Sequence, residues 1–415
     1  MINFIATNPP VLQKFLNKFK DVFTKPTFLS FSFYVNGLFL QLKRTNIQSI
    51  TENLIHANYE NMQYFISEAK WDQEQLNNRR IQILQSNHTT KSSRKGILSI
   101  DDTGCKKWGY KTEGVAVQHY GTENIQTKCN VVVISAYCDS VKRYPINLKP
   151  YKPKDEFFPG KENIEFKSKH QLAKELIDDA LSKNISFSDI VFDNWYFSND
   201  LIDYIQENNL SFITESESTR LISYKGKWVR ADELVKLIPI SKFKWVTVPF
   251  SSNENKSFYT YSFTSKLKDL QGKFLIVVAI GKWNENDPKD VHAFVSNHLS
   301  YSPAQVISKY ALRWGIECIF RDLKENVAFD HYQTRTLKSI SRHWHLASLA
   351  YSFLLISKLN GYFSKTFTQQ SNTIGKQLQL FRNINSIYQA LWIKQNYDFY
   401  QNYLKLNKHL KKYAA

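Results

Sequence analysis

Eight consecutive residues, Asn130 to Tyr137 (NVVVISAY), are almost wholly apolar and rich in β-branched side chains. A strand that avoids water on both faces needs cover on both, so this run predicts a central strand in a sheet layered between helices. Its surroundings agree. Gly96–Thr103 (GILSIDDT) and Gly114–Tyr120 read as strands before it, and Asp189–Asp193 (DIVFD) and Ser211–Thr214 as strands after it. His170–Lys183 and Asp200–Asn208 carry helical periodicity between those later strands. Three strands followed by alternating helices and strands predict an α/β fold with a mixed sheet and helices on both faces.

The pattern changes on either side of this core. Apolar residues at three- and four-residue steps over Val11–Val22, Phe31–Leu42, Asn46–Asn58 and Met62–Leu84 predict helices in residues 1–92, with Arg79-Arg80 and the run Lys91 to Lys95 adding positive charge. Residues 215–299 read as mostly β, with strands at Arg220–Tyr224, Lys244–Val248, Phe258–Phe263, Phe274–Ile280 and Val291–Ser296. Turn-like stretches such as SSNENKS and WNENDPKD separate them, so we expect a β-rich insertion. Helix resumes at about Ser302-Pro303. The expected organisation is therefore 1–92 helical, 93–214 first part of the core, 215–299 insertion, 300–345 return to the core, and 346–415 helical and basic.

Three acids stand at the ends or on the faces of these elements. Asp101 closes the first strand, Asp193 closes DIVFD, and Glu317 lies within YALRWGIECIFRDLK. In that segment Tyr310, Arg313, Glu317 and Lys324 stand at offsets of zero, three, seven and fourteen. On one continuous helix they would share an arc of roughly 60°, with Arg321 beside them. Leu312, Ile316, Ile319, Phe320 and Leu323 form the apolar flank. A carboxylate among cations and a ring suits a metal ion that grips a phosphate. Two divalent ions about 3.5–4 Å apart, held by a carboxylate trio, serve nucleases and strand-transfer enzymes. Such hard cations take oxygen ligands. Alternation puts Asp101 and Asp102 on opposite faces, so only one can join the trio. Asp101 is favoured, with Asp102 as its alternate.

Composition sets the partners. The formal charge of +18 attracts polyanions, of which nucleic acid is the commonest for a soluble chain. No apolar run is long enough to span a bilayer and no secretory leader is evident, so we expect no membrane partner and a cytoplasmic protein. The cysteines, Cys105, Cys129, Cys138 and Cys318, form no CxxC pair and no zinc spacing, and are expected to be reduced and mostly buried. His343 and His345 suit packing better than a zinc pair.

The spacing Tyr310-x2-Arg313-x3-Glu317-x6-Lys324 resembles the Y-R-E-K signature of bacterial insertion-sequence transposases of the DDE class. IDDTGCKKWGYKTEGVAVQHYG resembles the first-aspartate block of one branch of those enzymes, and VFDNWYFSNDLIDYI the second. FYVNGLFLQLKRTNIQSI and AKWDQEQL are similar to its N-terminal part. The resemblance implies an RNase H-like catalytic core interrupted by a β insertion, and a cut-and-paste reaction. DNA is cleaved at the element ends, and the free 3′-hydroxyl then attacks target DNA.

Carried over by position, Asp101, Asp193 and Glu317 would be catalytic and hold two Mg²⁺ ions, with Mn²⁺ able to substitute. Tyr310, Arg313 and Lys324 would grip the terminal phosphate and strand, with Arg321 beside them. In members that form a hairpin at the element end, a flipped base is held between aromatic rings. Tyr310 would supply one of them; the place of the second falls to His292, with Trp283 as a substitute. The implied partners are double-stranded DNA, as inverted-repeat ends and as target, and a second copy of the chain in a homodimeric synaptic complex. The competing reading is an inactive DNA-binding relic or repressor derived from such an enzyme.

Overall fold

The apolar run lies inside a strand of fourteen residues, Ile125–Cys138, whose last ten are all buried. The computed structural model describes residues 4–40, 44–55, 58–109, 111–121, 123–153, 166–251, 254–282, 289–363, 373–402 and 404. Trp283 and residues 405–415 of the basic C-terminus therefore lie outside the described residues.

In chain order, five helices lead: α1 (Pro10–Leu16), α2 (Lys25–Gly37), α3 (Ile47–Thr51), α4 (Tyr59–Ser67) and α5 (Gln73–Ser86). Strands β1 (Ile97–Lys106), β2 (Ala116–Tyr120), β3 (Ile125–Cys138) and β4 (Arg143–Tyr151) follow. Next come α6 (Lys169–Ser182), β5 (Ile190–Phe192), α7 (Asn199–Glu207) and β6 (Phe212–Glu215). The insertion holds β7 (Leu221–Tyr224), β8 (Lys227–Arg230), α8 (Ala231–Leu237), β9 (Lys244–Ser251), β10 (Glu254–Ser265), β11 (Phe274–Lys282) and β12 (Lys289–Ser296). The chain closes with α9 (Pro303–Ala311), α10 (Trp314–Val327), α11 (Leu337–Leu359) and α12 (Ile374–Gln395). These elements form two units, Thr90–Phe320 and, separately, Met1–Thr89 with Arg321–Ala415.

In the first of these units β3 is central, as its burial requires. It runs antiparallel to β1 on one edge and to β4 and β2 on the other. β1 pairs parallel with β5, and β5 parallel with β6. The order β4-β3-β1-β5-β6 is the mixed α/β sheet of an RNase H-like core. Its register sets up the site. Ser99 pairs with Val191, so two residues further on Asp101 comes level with Asp193. Phe192 pairs with Thr214, so one residue further on Asp193 comes level with Glu215.

Of the inserted strands, β7 and β8 pair with each other as a separate hairpin, while the other four extend this sheet. β12 pairs antiparallel with β6 (Phe294 opposite Glu215), and β11, β10 and β9 continue the order to make ten strands. Pairing β12 on β6 satisfies an edge that would otherwise present open N–H and C=O groups.

The structure departs from the expected single helix through residues 310–324. α9 begins at a capping box between Ser302 and Gln305 and stops at Ala311; α10 starts at Trp314. Across the join the amides of Leu312, Arg313, Gly315 and Ile316 each bond to the carbonyl three residues back, at 2.9–3.2 Å. This is a tight 3-10 turn that bends the path. Gly315 is a reason for the bend: a Cβ there would lie 2.7 Å from the Cys138 sulfur at the end of β3. The first turn of α10 is pressed onto the sheet at a point where only glycine fits.

In the helical unit α11 is buried continuously from Ser339 to Ser357, the mark of a helix surrounded on all sides. Several of its polar groups are met inside. Arg342 donates to the carbonyls of Ile66, Ala69 and Trp71 at 2.5–3.0 Å. His343 bonds the Tyr34 hydroxyl and the Ala328 carbonyl, both at 2.8 Å, and His345 bonds the Ser341 carbonyl at 2.7 Å. These histidines pack the interior. Arg80, expected as surface charge, is buried against Asn77 and Ser352 and is not available to a polyanion. No described helix is long and apolar enough to cross a membrane. All four cysteines are buried and none forms a disulfide.

Candidate active site

Asp101 and Asp102 are separated by strand alternation, and their partners differ accordingly. Asp102 is occupied: the Lys169 ammonium lies 2.8 Å away, and the Tyr196 hydroxyl donates to it at 3.0 Å. Asp101 accepts the backbone N–H of Asp102 at 2.8 Å and has the Arg313 Nη1 at 3.5 Å. Asp193 follows β5 directly and caps the short turn Asn194–Tyr196, accepting the N–H groups of Trp195 and Tyr196 at 3.1 and 3.4 Å. Glu317 stands in the first turn of α10, 2.9 Å from the Arg313 Nη2. One guanidinium thus spans Asp101 and Glu317.

The electrostatics follow from this crowding. Burial pushes the Asp101 carboxyl well above the usual carboxylate range, repulsion from Asp193 and Asp102 adds to it, and Arg313 pulls it back. Burial also raises Asp193 and Glu317, with Arg313 opposing both. Several carboxylates therefore share a desolvated place with a single guanidinium, an arrangement that favours a further cation.

Beside this group lies a second chain of contacts that the sequence did not reveal. The Tyr310 hydroxyl donates to Glu215 at 3.3 Å, His292 Nδ1 lies 2.6 Å from Glu215, and His292 Nε2 lies 3.0 Å from Asp290. Its hydrogen bond to Glu215 is the main cause that raises the His292 pKa above the usual histidine value, against the effect of burial. Phe294, also on β12, packs its ring 4.8 Å from that of Tyr310, and the Arg313 guanidinium lies 5.6 Å from the same ring. The signal for Glu215 was present in FITE, a third short strand ending in an acid. Trp314, next to Arg313, is largely exposed. Arg321 and Lys324 lie further along α10, in the helical unit.

Among the described residues, no three acids, histidines or cysteines stand close enough to hold a metal ion as placed. The sequence led us to expect a trio meeting directly; the structure arranges two of its members around a guanidinium, with the third in their electrostatic field. The donor set nevertheless fits a hard divalent cation. Every candidate atom is a carboxylate oxygen, the donor type such ions take.

The family described as DDE superfamily endonuclease matches residues 18–227, just over half the chain, and the family described as Transposase DDE domain matches residues 167–353. The chain is 24% identical over 343 residues to the probable transposase for insertion sequence element IS701 of Microchaete diplosiphon, covering 77% of this chain and 80% of that protein. The chain belongs to the DDE superfamily, whose matched descriptions are those of an endonuclease and of a transposase.

Proposed function

We propose that this chain is an insertion-sequence transposase that cleaves DNA at the element ends and transfers the freed strand into target DNA. The observation that carries this is the Arg313 guanidinium spanning Asp101 and Glu317 while Asp193 adds to the negative field at Asp101. Asp101, Asp193 and Glu317 would hold the divalent ions, Mg²⁺ or Mn²⁺ in its place, and Asp102 stays with Lys169. Bound there, two such ions supply activation of the attacking oxygen and stabilisation of the leaving one.

The chain's own groups do the rest. Arg313 offers a planar fork of donors suited to a phosphate, and Tyr310 stands against it. Lys324 and Arg321 extend the positive charge along α10. The net charge of +18 draws DNA to the surface. Two copies act across paired ends. The reading as an inactive DNA-binding relic is less well supported, since such a protein would gain nothing from desolvated carboxylates facing phosphates. The test is Asp193→Ala in the full chain, assayed on duplexes carrying the element's terminal repeats. Metal-dependent cleavage should be lost and end binding largely kept. Cleavage that survives in this variant would overturn the assignment.

A further inference from the structure

The turn that follows Asp193 treats its two aromatic residues in opposite ways. Tyr196 is 1% exposed and sits in the core, whereas its neighbour Trp195 is 50% exposed. Trp195 is nevertheless held in place. Its indole lies parallel to the His170 imidazole, with centroids 5.0 Å apart and 5° between the planes. Tyr196 meets it edge-on at 4.9 Å, and the Lys169 ammonium stands 4.8 Å from its ring centroid. Lys169 is itself fixed, by Asp102 at 2.8 Å and by the ring of Tyr151 at 5.4 Å. A half-open indole ordered by three neighbours offers a flat ligand a surface that needs no further ordering on binding.

Its location narrows the choice of ligand. The backbone N–H of Trp195 bonds directly to the Asp193 carboxylate at 3.1 Å, so the residue stands beside the acid that the proposed function sets against the reacting strand. Every nucleobase has a π-face, and stacking on a tryptophan holds a strand without reading its sequence. We infer that Trp195 is a stacking platform for a nucleobase next to the phosphate that is cut, and acts as a positioning residue for strand cleavage. This rests on the proposed DNA-cleaving function and extends it to residues outside the acids and the cation stripe: Trp195 stacks, and His170 and Lys169 hold it.

The test uses the full chain in Ca²⁺ and a duplex carrying the element's own terminal repeat. 2-Aminopurine is placed singly at each of the three nucleotides on either side of the cut. Wild type should quench the fluorescence at one of these positions. Trp195→Ala should abolish that quench and weaken end binding by about 5- to 150-fold, the range expected for one lost base–aromatic stack. Trp195→Phe should retain most of both, which separates stacking from a general loss of fold. Asp193→Ala should still quench. A quench unchanged in Trp195→Ala, or lost equally in Trp195→Phe, overturns the proposal. So does wild type that binds and cleaves the end without quenching at any position, and in that case the transposase reading stands. Wild type that neither binds nor cleaves end DNA removes both.

Discussion

Replacing Arg313 by alanine should strengthen metal binding in the absence of DNA while weakening cleavage. In the structure the guanidinium bonds Glu317 at 2.9 Å and reaches Asp101 only at 3.5 Å, so one charge-assisted hydrogen bond and one longer contact hold it between the acids. A bond of the first kind is worth about 1.5–3 kcal/mol. The 3.5 Å contact is too long to count as a second. A divalent ion arriving at these carboxylates must displace that bond, and removing Arg313 removes the competition. At 1.4 kcal/mol per decade, Mn²⁺ should bind the variant about ten- to a hundredfold more tightly. Calorimetric titration of the full, DNA-free chain with Mn²⁺ measures this directly. It should be run near pH 8, because losing Arg313 also removes the charge that holds the Asp101 carboxyl down, and protonation would mask the gain. Cleavage of end DNA should fall in the same variant, since the fork that meets the phosphate is gone. A folded Arg313→Ala protein with Mn²⁺ affinity equal to or weaker than wild type would refute the idea that the guanidinium occupies the ions' place.

Two further outcomes follow from the fold around the site. Gly315→Ala would bring a Cβ within 2.7 Å of the Cys138 sulfur and should cost about 1–3 kcal/mol, seen as a lower Tm together with reduced cleavage; a Tm at or above wild type would show that the bend tolerates a side chain. His292 has a raised pKa in the fold, so its pairing with Glu215 stabilises fully below the ordinary value of 6.5 and fades as pH rises through the higher folded value. His292→Ala should therefore lower stability by about 1 kcal/mol near pH 6 and by less above pH 8, as followed by denaturant melts at each pH. A constant difference across that range would deny the pair its charge.

Some of this was readable because it is local. Alternation and β-branching in GILSIDDT and DIVFD announce strands wherever the chain goes, and so the acids at their ends could be found. The helix break at Leu312-Arg313 could not be read, because Leu312, Ile316, Ile319 and Leu323 keep an unbroken helical spacing that starts inside the two-residue turn. That turn answers to Cys138, a residue of a distant strand. Glu215 fell at the boundary between core and insertion, where the acid of a strand end looks like the first residue of a loop. Arg80 carries a charge that suggests a surface, and only packing against Asn77 and Ser352 places it inside.

The order of helices and strands, the acids that close them and the excess of positive charge are written in the residues, since each depends on neighbours within a few positions. Whether Asp101 or Asp102 meets Arg313, whether β12 joins β6, and how the carboxylates share one guanidinium depended on segments far apart in the chain. Those outcomes rest on strand register and on close packing between distant elements, which no local pattern encodes.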